Sequence, residues 1–334
     1  MASLTKATRS FLVNRHRETS IFTLHLKIYP INTFLCEVGP LVSDTVESGL
    51  LKELDLAILD KIDLWESNFE EEDMLQRAQN IDNFFSIYPI VLHCLTRLSL
   101  YNVRIDKLDM HHLLLESCKQ LKHLGLSRCD TGDHSLFTID APNSKLCVLE
   151  LTNCRFERLE LVCLPKLEKL RWDTWVSHNV PLTFDFIPSL RELEFVYDAT
   201  FGQRELKLSE LLHGTTCIHT LTLDFVGENR QWYPERRTPH WEMHFGGSKN
   251  SLLKELEFIG FRSLQHQFTF IRSILERAPN MQRIVLKGDE QCENCDALDT
   301  PPRLSKFPKK NEEQEIVVKR IRDGIFSTQI FFDE

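Results

Sequence analysis

One spacing of apolar residues recurs along the chain. Leu121-x-x-Leu124-x-Leu126-x-x-Cys129 returns as Leu146-x-x-Leu149-x-Leu151-x-x-Cys154, 25 residues on. The shorter template apolar-x-x-apolar-x-apolar starts at Ile21, Leu51, Leu95, Leu121, Leu146, Leu167, Leu190, Ile218, Leu253 and Met281. In a short strand alternate side chains point to opposite faces, so the fourth and sixth template positions share one face. Each stretch is therefore predicted to be a strand that buries its leucines on one side.

From Leu95 the starts lie 26, 25, 21, 23, 28, 35 and 28 residues apart, mostly within the roughly 20–29 residues of a leucine-rich repeat. A single unit cannot bury its apolar face alone, so neighbours must stack. The pattern predicts an α/β leucine-rich-repeat solenoid: a horseshoe with a parallel concave sheet and an irregular helical or extended convex side. Cys129 and Cys154 fall where the repeat carries Asn or Cys, and are expected to be small buried structural residues.

Pro165, Pro188 and Pro279 each stand two residues before a template start, where proline stops a preceding helix. Helical spacing is read in 110–121, 208–214 and 268–278, the last ending before Pro279. The units starting at Leu146 and Leu167 are too short for a full helix and are expected to return through extended or one-turn segments. Two stretches break the rhythm. Residues 60–73, DKIDLWESNFEEED, read as an acidic surface excursion before a helical 74–89; residues 226–249 read as a long loop or a join where repeats are missing.

Composition narrows the partners. The 334 residues are 42% hydrophobic and 27% charged, ordinary for a globular chain, and the formal charge is -9. That balance argues against nucleic acid, which demands clustered Lys and Arg. No apolar run is long enough to span a membrane, and the first twenty residues lack a signal-peptide core. No Asn-x-Ser/Thr acceptor occurs, so the ten cysteines are read as reduced, with a cytoplasmic or nuclear location.

Catalytic and metal chemistry is weighed and set aside. In His240-Trp-Glu242-Met-His244 the Glu lies two after the first His, whereas a zinc protease needs it directly after. Cys292-x-x-Cys295 is a lone pair, short of four zinc ligands. No G-x-S-x-G, P-loop or G-x-G-x-x-G occurs. The expectation is no enzyme, no cofactor and no metal.

What remains is a face. The third and fifth template positions point outward, and in order they read Thr23/His25, Glu53/Asp55, Arg97/Ser99, His123/Gly125, Val148/Glu150, Lys169/Arg171, Glu192/Glu194, Thr220/Thr222, Glu255/Glu257 and Arg283/Val285. The candidate partner-binding residues are Arg97, His123, Glu150, Lys169, Arg171, Glu192 and Glu194. They either pair across adjacent repeats or choose a partner.

The stretches CLTRLSLYN (94–102), CKQLKHLGLSRC (118–129), APNSKLCVLELTNCRF (141–156), LPKLEKLRW (164–172) and IPSLRELEF (187–195) resemble the leucine-rich-repeat region of plant F-box proteins with an FBD-like C-terminal segment. FTFIRSILERAPNMQRIVLKGD (268–289) and EEQEIVVKRIRDGIFSTQIFF (312–332), the latter read as a closing helix and strand, resemble that family's end. The resemblance implies recognition of a protein substrate for an SCF-type ubiquitin ligase, with a Skp1-type adaptor docking on the F-box. Nothing before Ile21 resembles an F-box, so the expected organisation is a lead-in over 1–20, a repeat array over 21–289 with insertions at about 60–85 and 226–249, and an FBD-like segment over 290–334. The alternative expectation is a stand-alone binding scaffold or a non-functional truncated product.

Overall fold

Each of the ten template stretches is a strand in the computed structural model. The structure describes Ser10 and residues 21–28, 31–59, 71–105, 118–132, 136–173, 182–196, 205–206, 217–224, 240–241, 251–288, 307–322 and 327–333. The chain divides into two compact units, Met1–Leu167 and Glu168–Glu334.

In the first unit the repeat strands are β1 (Ile21–Ile28), β2 (Leu51–Ile58), β3 (Leu95–Tyr101), β4 (His123–Ser127) and, after a return strand β5 (Leu136–Asp140), β6 (Val148–Thr152). Their order is β1-β2-β3-β4-β6, every described pairing parallel. Leucine faces leucine across the ladder: Leu98 with Leu124 with Leu149, and Leu100 with Leu126 with Leu151, all buried. A second ladder forms behind them, where β5 pairs in parallel with β7 (Arg158–Cys163) and turns Phe137, Ile139, Leu159 and Leu161 inward. The extended return expected after Leu146 is thus present, and the unit starting at Leu121 has one too.

The residue leaving each strand turns the chain. Asn102, Arg128 and Asn153 hold the eighth template position with φ of +55°, +54° and +51°. Asparagine tolerates this left-handed geometry, whereas Arg128 bears it at a cost of about 1 kcal/mol. Cys129 and Cys154 follow directly. Both are buried, and their thiols donate to the preceding repeat, Cys154 to the Leu126 carbonyl at 3.2 Å and Cys129 to that of Leu100 at 3.7 Å. The cysteines stitch one turn to the next.

Three helices cover the start of the array: α1 (Ile31–Glu47), α2 (Glu71–Ile87) and α3 (Pro89–Leu92). Gly39-Pro40 lies inside α1. Close packing explains the glycine, since a Cβ there would stand 2.4 Å from the Tyr88 ring. Val38 and Val42 of α1, Phe84 of α2 and Val91 of α3 close on Leu54 and Leu56, leaving about 10 Å³ of space. The acidic stretch 60–73 is not all excursion: Glu71, Glu72 and Asp73 form the first turn of α2, where carboxylates meet the positive end of the helix dipole. Arg104 anchors that turn, with Nη1 3.0 Å from Glu71 and Nε 2.6 Å from the buried Asp130.

The second unit carries β8 (Lys169–Asp173), β10 (Glu192–Val196), β12 (Thr220–Asp224), β14 (Glu255–Ile259), β15 (Arg283–Lys287) and β16 (Gln329–Asp333), parallel and in that order. An extended β9 (Leu182–Phe186) follows β8, as the short repeat there predicts. Two-residue strands β11 (Glu205–Leu206) and β13 (His240–Trp241) pair in parallel. His240 therefore begins no helix, and the His244 that such a helix would bring alongside lies outside the described residues, as do Cys292 and Cys295.

Prolines mark the strand entries through turns. Pro165, Pro188 and Pro279 each take the second place of a four-residue turn, closed by Leu167, Leu190 and Met281 donating to the carbonyls of Leu164, Ile187 and Ala278. The helix expected over 268–278 is α4 (Gln265–Arg277). The helix expected over 110–121 does not reach its proposed end: Cys118–Leu121 is a turn, with Leu121 donating to Cys118 at 3.0 Å. The rest of that stretch, and 208–214, lie outside the described residues.

The closing segment supplies α5 (Asn311–Arg322) and the strand β16. Arg320 stands 4.0 Å from the Phe268 ring centre of α4 and donates to Gln265 at 2.6 Å. Thr328 donates to the Met281 carbonyl at 3.1 Å, joining β16 to the base of β15.

Candidate partner-binding face

Opposite the leucines, the odd template positions form a polar face in each unit, because a strand that buries alternate residues must present the others. In the first unit three candidate residues form a chain across three strands. The Arg97 guanidinium lies 3.1 Å from His123 Nδ1, and His123 Nε2 lies 2.8 Å from a Glu150 carboxylate oxygen. Glu150 stands in register with Gly125, two pairs beyond His123. Gly125 lies between them, and a Cβ there would make only ordinary contact with Ser99 Oγ at 3.4 Å and His123 Nε2 at 3.9 Å. A second imidazole, His25, meets Asp55 of the next strand at 2.8 Å.

In the second unit the other four candidates form an ion-pair cluster. Strand register sets Lys169 beside Glu192 and Arg171 beside Glu194. Lys169 Nζ lies 3.6 Å from Glu192 and 3.5 Å from Glu194, while Arg171 lies 3.1 Å from Glu194 and 3.6 Å from Asp173. These charges are paired across the two strands. Glu194 is the centre of the cluster, and Glu192 stays more than half exposed behind a longer contact.

Reasoning from the third and fifth positions alone missed part of this face. Asp173, Lys287 and Asp333 also take part, each the last residue of its strand. Lys287 lies 2.7 Å from Glu257, which also accepts from Thr222 at 3.1 Å, and 3.5 Å from Asp333. The hydrogen bond to Glu257 raises the Lys287 pKa above its ordinary value. The signal was present in sequence: period two carries the outward face on to the seventh template position.

The thiols are placed for structure. Burial pushes Cys94 up to about 11 and Cys118 up to about 12, and it raises buried Cys129 well above the ordinary range, so these thiols carry no nucleophilic anion at neutral pH. Among the described residues no three His, Cys, Asp or Glu side chains gather around one point as metal ligands would. No described helix is long and apolar enough to cross a membrane.

Comparison with known proteins agrees with this geometry. A family model described as the leucine-rich repeats of FBD-associated F-box protein At5g56370 matches residues 54–226, just over half of the chain. No curated protein matches the chain. The matched span runs from within β2 to just past β12 and includes all seven candidate residues. With its parallel leucine ladder, this chain belongs to the leucine-rich-repeat family of FBD-associated F-box proteins.

Proposed function

We propose that the polar strand face is a protein-recognition surface, and that the chain serves as the substrate-recognition region of an SCF-type ubiquitin ligase in the plant cytoplasm or nucleus. It binds a protein substrate, performs no chemistry of its own and needs no cofactor. The observation that carries this reading is the in-register charge on Lys169, Arg171, Glu192 and Glu194, held on repeat strands of this family. Two adjacent repeats present their charge together there, which suits register and partner choice.

Capture of partners from plant extract by the wild-type chain and by the Lys169→Glu/Arg171→Glu variant tests the surface. Partner capture should fall and its dependence on salt should change, because like charges then crowd neighbouring strands and no longer match the partner. Thermal stability should move little, by roughly 0–1 kcal/mol per exposed pair. Unchanged capture of a verified partner would remove this face from consideration. Capture of a Skp1-type adaptor by this chain, compared with capture by an F-box-bearing relative, separates a ligase subunit from a stand-alone binding scaffold.

A further inference from the structure

The last strand differs from those before it. At the fourth and sixth template positions β14 and β15 bury Leu256, Phe258, Ile284 and Leu286 completely, yet the equivalent Ile330 and Phe332 of β16 are only half-buried. Among the described residues β16 pairs with β15 alone. Gln329 donates to the Gln282 carbonyl and Asp333 accepts from Gly288, so these residues aim their main-chain groups at β15. Alternation then aims the N–H and C=O of Ile330 and Phe332 away from the sheet. Beside this edge lies a groove of about 610 Å³, lined by Glu315, Val318, Lys319 and Arg322 of α5 and by Ile330 and Phe332.

We propose that this edge is the seat of a second copy of the chain, which pairs with it through β16 about a two-fold axis at Phe331. The segment Gln329-Ile-Phe-Phe-Asp333 is complementary to itself when run antiparallel. Ile330 then meets Phe332 of the second copy, and Phe332 meets its Ile330, each as a hydrogen-bonded pair that uses the outward main-chain groups. Gln329 meets Asp333 as an amide beside a carboxylate. Phe331, 42% exposed, meets its own equivalent on the polar face as an aromatic cross-strand pair.

Helix α5 fits the same axis by charge. Its first turn carries Glu312 and Glu313 and its last Lys319, Arg320 and Arg322. A two-fold that turns β16 antiparallel also turns α5, so Glu315 faces Lys319 of the second copy, and the apolar groove closes between the two helices. Such an isologous contact is self-limiting: it consumes the edge it uses and builds a dimer, not a fibre. The inference stands independently of the substrate-recognition reading.

Sedimentation equilibrium of the 334-residue chain between about 1 and about 100 µM tests it, because a short edge contact belongs to the weak end of protein interfaces. A monomer–dimer equilibrium is expected. Phe331→Lys sets two like charges directly opposite and should weaken dimerisation by about tenfold or more. Glu315→Lys should weaken it less, and Glu315→Lys/Lys319→Glu should restore it, a rescue that a folding defect would not show. A chain that stays monomeric at the upper concentration overturns the proposal, even if an extended peptide or another protein occupies the edge instead. A dimer indifferent to both Phe331→Lys and Glu315→Lys forms elsewhere and overturns it equally.

Discussion

Two regions of this chain solve the same packing problem with different backs. In 118–163 the repeat strands β4 and β6 are backed by the extended β5 and β7; in 251–288 the strands β14 and β15 are bridged by helix α4. A five-residue strand covers about 17 Å and a thirteen-residue helix about 20 Å, so either can carry the chain back along the sheet. The helix simply uses more residues to do so. That accounts for the template spacing of 21 after Leu146, whose return is β7, against 28 after Leu253, whose return is α4.

The filling changes with the back. Behind the extended pair lie leucines, two cysteines and Phe137 stacked at 4.9 Å on Phe156. Behind the helix the spacers are rings: Phe258 lies 6.1 Å from Phe261 and 6.2 Å from Phe270, and Phe261 lies 5.6 Å from Phe268. Gln267, buried at the start of α4, donates to Gly260 at 3.1 Å and accepts from Arg262 at 2.8 Å, fastening helix to strand end. The helix-backed region thus fills its interior with rings where the extended-backed region uses mostly leucines.

Truncation should rank the two regions. Phe258→Ala removes the ring that lies against both Phe261 and Phe270, and should cost about 3–5 kcal/mol in chemical denaturation. Leu149→Ala, equally buried among leucines, should cost about 2–5 kcal/mol, with the lower end expected if its neighbours can collapse around the cavity. A leucine cost above that of Phe258→Ala would show that spacing by rings is not what holds the helix-backed repeat. Cys154→Ala sits lower, at about 1–2 kcal/mol, for one lost sulfur and its hydrogen bond to Leu126.

How much of this was legible beforehand follows from what each feature depends on. The leucine ladder, the parallel strands and the buried Cys129 and Cys154 follow from a local period repeated many times, so sequence showed them. The pairing of Lys169 and Arg171 with Glu192 and Glu194 was legible for the same reason, because register follows from the template. Helix α1 was not, because Gly39 obeys a contact with Tyr88, 49 residues away in sequence. Nor was Arg104, whose partners Glu71 and Asp130 come from a helix outside the repeat rhythm and from the next turn. Sequence patterns report neighbours within one repeat; these residues answer to others.

The smallest effect separates the regions by pH. His266 stands in α4 of the helix-backed repeat with Nε2 buried and without a hydrogen-bond partner among the described residues, and burial lowers its pKa from the ordinary 6.5. The unfolded chain therefore takes up a proton as pH falls through about 6.5, while the folded chain still resists it. Stability from this group is present above the ordinary value and is lost as pH falls from there to the lower folded value. Denaturation midpoints from pH 7.5 down to about 5 should fall for the wild type and fall less steeply for His266→Asn, which has nothing to titrate. The twelve other histidines are common to both proteins and drop out of the difference. Parallel slopes would mean that water reaches Nε2 in the folded state, and that the helix-backed repeat is less tightly closed at this point than its ring contacts imply.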